Sequence, residues 1–142
     1  MRNNKVLICY LTYSGNTEEV AQLIEKTLTE KEMEVEMYDI YTNDFNYSFN
    51  NYDYVLLGAF TWDQGYVPDE MVDFVYQNCK GLKGDKVHVF GTGDTQFGGM
   101  EIYCIAVDKI AKYFNSPHPT LKIEQSPRGS QEELVRTWAE KI

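Results

Sequence analysis

The stretch KVLICYLTYSGNTEEV, residues 5–20, decides the fold. Lys5 to Tyr10 form a short apolar run rich in strand formers, as a buried strand requires. Thr12 to Thr17 are polar and uncharged, and from Thr17 onward apolar residues recur at Val20, Ala21, Leu23, Ile24 and Leu28 with helical spacing. Asn16 or Thr17 is suited to cap that helix, and Glu18 and Glu19 complement the positive end of its dipole. Strand, turn and helix follow one another directly, and the rest of the chain repeats the pattern.

Val35 to Tyr38 read as a short second strand. Tyr41 to Asn51 are rich in Asn, Tyr and Phe without a clear period, and the segment Tyr41 to Tyr52 is expected to cross over the sheet as packed chain, with a partner surface as the alternative. Tyr54 to Gly58 form another buried-strand run, and Pro68 is placed to open a helix with Asp69 and Glu70 in its first turn and Met71, Phe74 and Val75 on one face. Lys86 to Phe90 are the fourth strand, followed by a helix striped by Tyr103, Ala106, Val107, Ile110, Ala111 and Phe114. Thr120 to Ile123 give a half-exposed last strand. SQEE at 130–133 has capping-box spacing ahead of a helix striped by Leu134, Trp138 and Ile142. Strand and helix alternate and the strands are continuously apolar, so the expected architecture is a single α/β domain over 1–142. Five parallel strands would be covered by helices on both faces in a doubly wound arrangement.

Length and charge narrow the function. The chain has 142 residues, 43% of them apolar, and a formal net charge of −9, which repels nucleic acid and anionic membrane surfaces. No apolar run approaches the roughly 20 residues of a membrane-spanning helix, and the start MRNNK lacks a signal-peptide core. Cys9, Cys79 and Cys104 show no ligand spacing and are expected to be buried and reduced, in keeping with a cytoplasmic protein. His88 and His118 lie among strand-like residues and are read as structural.

In a doubly wound sheet, ligands sit beyond the carboxyl ends of the strands at the switch point of strand order. The loops after strands one, three and four all fall there. In the first, Thr12, Ser14, Asn16 and Thr17 supply hydroxyl and amide donors at a helix N-terminus, and Gly15 permits close approach of a ligand to the backbone. The loop lacks the Lys of a P-loop and has no GxGxxG, so a phosphate monoester held by neutral donors fits, as does an ordinary capped helix start. The second loop carries Trp62 and the third Phe97, either of which is compatible with plain packing. Taken together, two aromatics beside a phosphate turn can sandwich a planar ring, with Asp63 and Asp94 as acceptors for ring N–H groups and Gly65 and Gly93 allowing close contact. A flavin mononucleotide (FMN) site is the simplest joint reading.

On these residues the chain resembles the flavodoxins of the short-chain type over essentially its whole length. The family's phosphate loop T-x-S/T-G-N-T is matched by Thr12, Tyr13, Ser14, Gly15, Asn16 and Thr17. Its second loop is similar to Thr61, Trp62, Asp63, Gln64 and Gly65 followed by Pro68, Asp69 and Glu70. Its third loop is matched by Gly91, Thr92, Gly93, Asp94 and Thr95, and the downstream F/Y-C-x-A-V-D by Tyr103, Cys104, Ala106, Val107 and Asp108.

The resemblance implies strand order 2-1-3-4-5, non-covalent FMN, and a low-potential electron carrier, here a monomer, rather than a catalyst with its own substrate. The expected partners are a flavodoxin/ferredoxin reductase and electron-accepting redox proteins. Trp62 would stack on one face of the ring, with Phe97 near the other. Other classes that share the fold include an activator of a metalloenzyme such as ribonucleotide reductase and a flavin-free binding module. GTGDT argues against the activator, and an absorption spectrum separates the flavin from the non-flavin classes.

Two departures bear on function. Where the family commonly has Gly-Asp after the aromatic, this chain has Asp63-Gln64. The resemblance implies that this peptide turns over on reduction into a conformation with positive φ, which Asp adopts at a cost of about 1 kcal/mol. The one-electron-reduced state is therefore expected to accumulate more in Asp63→Gly than in the wild type during a reductive titration, and equal yields count against this. The QFGGME segment is longer than usual between GDT and the following Glu, so Met100 rather than Phe97 could meet the ring.

Overall fold

The computed structural model describes residues 4–61, 66–93 and 104–142. Five strands, β1 (Lys5–Tyr10), β2 (Glu34–Asp39), β3 (Tyr54–Phe60), β4 (Val87–Gly93) and β5 (Leu121–Glu124), form one sheet in the order β2-β1-β3-β4-β5. Every pairing is parallel, with Tyr10 opposite Gly58, Gly58 opposite Phe90 and Thr92 opposite Ile123. Four helices connect them: α1 (Asn16–Glu30), α2 (Asp69–Asn78), α3 (Ile105–Phe114) and α4 (Ser130–Glu140). The doubly wound five-stranded sheet expected from the alternation is the one observed.

The period of two along each strand sends alternate residues to opposite cores. Leu7, Cys9, Val55, Leu57, Ala59 and Val89 pack on one face with Met71 and Phe74 of α2 and Val107 and Ile110 of α3. Val6, Ile8, Leu56, Phe90 and Ile123 pack on the other with Val20 and Ile24 of α1 and Val135 and Ala139 of α4. Because both faces are covered, the inner strands read as unbroken apolar runs. The edge strands β2 and β5 alternate buried and exposed positions only in part, which is why they are short and weak in the sequence.

The aromatic crossover after β2 packs over the sheet as expected. Two 3-10 turns, Ile40–Thr42 and Phe49–Asn51, bracket it. The Phe45 ring lies 5.0 Å from those of Tyr38 and Phe74, and Lys86 Nζ donates to the carbonyls of Phe49 and Tyr52 at 3.3 and 2.8 Å.

Three helix starts differ from the sequence reading. The cap of α1 is Gly15 and that of α4 is Gly129, both without a side-chain capping bond. At α4 the Gln131 amide instead brackets β5, accepting from Glu124 N–H at 2.7 Å and donating to Glu124 O at 3.2 Å. Pro68 precedes α2 rather than opening it; its carbonyl accepts from the N–H groups of Met71 and Val72. A fourth difference matters more for function. β4 runs on through Gly91, Thr92 and Gly93, residues that read as loop, and the Thr92 carbonyl accepts from Thr61 N–H there.

The three cysteines are buried and none forms a disulfide. Burial pushes the Cys79 thiol up to about 12 and that of Cys9 well above its usual range, so neither offers a thiolate at neutral pH. Among the described residues no cluster of three or more His, Cys, Asp or Glu could hold a metal, and no helix is long and apolar enough to cross a membrane.

His88 and His118 stack face to face, ring centres 3.9 Å apart, with Trp138 edge-on to His88. His88 is buried and its Nε2 has no hydrogen-bond partner among the described residues. Burial first, and His118 second, lower its pKa to about 4. The folded chain thus holds this ring neutral, while the unfolded chain protonates it near 6.5. Its contribution is complete above that pH and is lost as pH falls toward 4, amounting to about 2 kcal/mol by pH 5. Urea unfolding at pH 7 and pH 5 should show this loss in the wild type. It should be smaller by about that amount in His88→Leu, and an equal loss in both would contradict the assignment.

Candidate functional site

The carboxyl ends of β1, β3 and β4 meet at the switch point between β1 and β3, and the segments after them define the candidate site. The first is the turn from Leu11 to Gly15. Leu11 N–H still bonds to Gly58 O of β3 at 2.9 Å, after which the chain leaves the sheet. Gly15 takes up left-handed geometry, φ 96°, and its N–H donates to Thr12 Oγ1 at 2.9 Å, closing the turn on itself. The first helical bond of α1 runs from Glu19 N–H to Gly15 O. The N–H groups of Asn16, Thr17 and Glu18 therefore precede any intrahelical acceptor and point out of the helix start.

A Cβ on Gly15 would meet nothing within 4 Å, so the glycine is needed for its backbone angle alone. Gly15→Ala is expected to lower stability by about 1 kcal/mol. Urea melts check this, and no change would remove the role given to this angle.

The structure gathers some of the expected site residues and sends others elsewhere. Thr12 is half-buried, and Ser14 is exposed at the mouth of the turn. Thr17 and Thr92 are both buried, at 1% and 2% exposure, and their hydroxyls lie 2.9 Å apart. Tyr13 turns sideways: its hydroxyl donates to Glu70 Oε2 in the first turn of α2, and its ring packs on Phe60 at 4.6 Å and edge-on to Tyr41 at 6.1 Å. That carboxylate bond, with lesser help from burial, raises the phenol to about 12, so Tyr13 stays neutral and adds no anion beside the turn. Thr61 also looks away. Its N–H donates to Thr92 O at 3.0 Å, and its Oγ1 accepts from Ala106 N–H at 3.1 Å, capping α3 behind Cys104. Gly93 ends β4, and its carbonyl accepts from Gln125 N–H at 2.7 Å. Trp62, Asp63, Gln64, Gly65, Asp94, Phe97 and Met100 lie outside the described residues.

Thr12, Tyr13, Tyr41 and Glu70 line an open depression of 520 Å³ beside the turn. Tyr41 and Phe60 were not among the expected site residues; nothing in their spacing marks them, because the contact depends on the crossover folding back. The donor set fits a phosphomonoester: a 15-residue helix offers its positive end and three leading N–H groups, with hydroxyls around them and no Lys or Arg in the Thr12–Thr17 turn.

Comparison with known proteins agrees with this geometry. The family model described as Flavodoxin matches residues 8–138. "Probable flavodoxin 2" of Bacillus subtilis is 38% identical over 135 residues, covering 91% of this chain and 87% of that protein. The flavodoxin of Maridesulfovibrio salexigens is 32% identical over 148 residues, covering 98% of this chain and 97% of the relative. Among solved structures, oxidised Flavodoxin 1 from Bacillus cereus superposes with a TM-score of 0.82 at 29% identity, covering 96% of this chain and 95% of that one. The fold and the family match define a flavin-binding α/β protein. This chain belongs to the flavodoxin family, electron-transfer proteins that hold FMN without a covalent bond.

Proposed function

We propose that this chain carries electrons on FMN without a substrate of its own, accepting them from a flavodoxin/ferredoxin reductase and passing them to redox acceptor proteins. When bound, FMN supplies the electron-accepting ring; the protein supplies grip, orientation and shielding. The Thr12–Thr17 turn takes the phosphate with backbone N–H groups of the α1 start and with the hydroxyls of Thr12, Ser14 and Thr17. Thr61 and Thr92 brace the second and third loops from behind. Trp62 and Phe97 cover the ring, and Asp63, Gln64, Gly65, Gly93 and Asp94 line its polar edge. The observation that carries this reading is the turn itself, with neutral donors and a left-handed glycine at the switch point of the sheet.

The purified protein is expected to be yellow, and its flavin-free form should quench FMN fluorescence with one-to-one stoichiometry. A chain that stays colourless after equilibration with FMN and desalting overturns the proposal. The net charge of −9 favours basic partners. Reduction by such a reductase should slow as salt rises, and a flat salt profile would exclude electrostatic steering.

A further inference from the structure

Thr92 belongs to the GTGDT segment, the loop that serves the ring end of the cofactor in the reading above, yet its side chain points elsewhere. Thr17 and Thr92 come from positions 75 residues apart and meet hydroxyl to hydroxyl at 2.9 Å in a buried site. Each hydroxyl has one proton and two lone pairs. A closed pair uses one of its two protons, so the second proton is left either on Thr17, at the start of α1, or on Thr92, under the third loop. Among the described residues each hydroxyl has only the other as hydrogen-bond partner. Thr92 itself cannot swing away. Its residue is registered between Phe60 and Ile123 in the sheet, and its carbonyl accepts from Thr61 N–H at 3.0 Å.

We propose that Thr92 is a positioning residue for the phosphate end of the cofactor. Its hydroxyl donates to Thr17 Oγ1 and so leaves the Thr17 proton free to point at the phosphoryl group in the first turn of α1. An anion there selects this direction of the pair, because the opposite direction presents a lone pair to a negative charge. The inference rests on the FMN reading and adds to it the allocation of one side chain: Thr92 serves the phosphate through Thr17, whereas the residues next to it serve the ring.

The test compares FMN with riboflavin, which has the same ring and no phosphate, by fluorescence quenching in the wild type, Thr92→Val and Thr92→Ser. The FMN-to-riboflavin affinity ratio is expected to fall about tenfold in Thr92→Val and to return to within about twofold of wild type in Thr92→Ser. In a Thr17→Val background, Thr92→Val should change the ratio no further. Inorganic phosphate should raise the melting temperature of the flavin-free wild type by more than it raises that of Thr92→Val. If Thr92→Val weakens both flavins equally, or changes the ratio as much without Thr17 as with it, the proposal is overturned. A wild type that binds riboflavin as tightly as FMN would instead sink the phosphate-turn reading on which it rests. Should Thr92→Val fail to fold, Thr92→Ala removes the same hydroxyl and is read in the same way.

Discussion

Phe90→Ala is expected to destabilise the protein by about 4 kcal/mol, and Gly58→Ala by about 2 kcal/mol, but the two together by no more than the first alone. The reason lies in a single cross-strand pair. Gly58 of β3 sits directly opposite Phe90 of β4, on the sheet face covered by α1 and α4. The Phe90 ring is fully buried and lies on the glycine: a Cβ built at position 58 would stand 2.1 Å from Phe90 Cζ and 2.3 Å from Cε2. Gly58→Ala must therefore move the ring off its place, which strains the core between two helices. Phe90→Ala removes the ring and leaves a void beneath Trp138, whose ring centre lies 6.2 Å away. Once the ring is gone, a methyl at 58 fills part of the void and also restricts the unfolded chain. The double-mutant cycle in urea should show about 2 kcal/mol of coupling in the rescuing direction. Additive losses would mean that the ring does not rest on the glycine.

This pair also marks the limit of what the sequence made legible. YVLLG and KVHVF were readable as strands because both faces of the inner sheet are buried, which forces continuous apolar runs. The end of β4 was not readable, because Gly91, Thr92 and Gly93 look like turn chemistry although each is in the sheet. The same ambiguity misplaced the helix caps. Hydroxyl and amide residues follow Gly15, and propensity favours them as caps, but the left-handed glycine ends the turn first and frees Thr17 to reach Thr92. At the candidate site, the turn between β1 and α1 was legible as a turn because its residues are contiguous. Tyr13 with Glu70, Thr61 with Ala106 and Thr17 with Thr92 were not, since each joins residues more than 40 apart in the chain and leaves no local pattern.

Gly91→Ala is expected to cost about 3 kcal/mol and, unlike Gly58→Ala, to resist rescue by trimming its neighbour. Gly91 lies opposite Ala59 of β3, on the sheet face covered by α2 and α3. A Cβ there would stand 2.3 Å from the backbone carbonyl oxygen of Ala59 and 2.4 Å from Val107 Cγ2 of α3. The valine methyl can be removed, but the carbonyl belongs to the neighbouring strand and cannot retreat without breaking the ladder. The Gly91 carbonyl also accepts a weak bond from Cys104 Sγ at 3.8 Å, which ties the start of α3 to the same point.

Any displacement at 91 therefore shifts α3 and Thr92 together, and FMN affinity should fall at least tenfold along with stability. The Gly91→Ala, Val107→Ala double variant is expected to recover less than half of the lost stability in urea unfolding. Full recovery would show that only the valine opposes the added methyl, and that the sheet tolerates a side chain at this position after all.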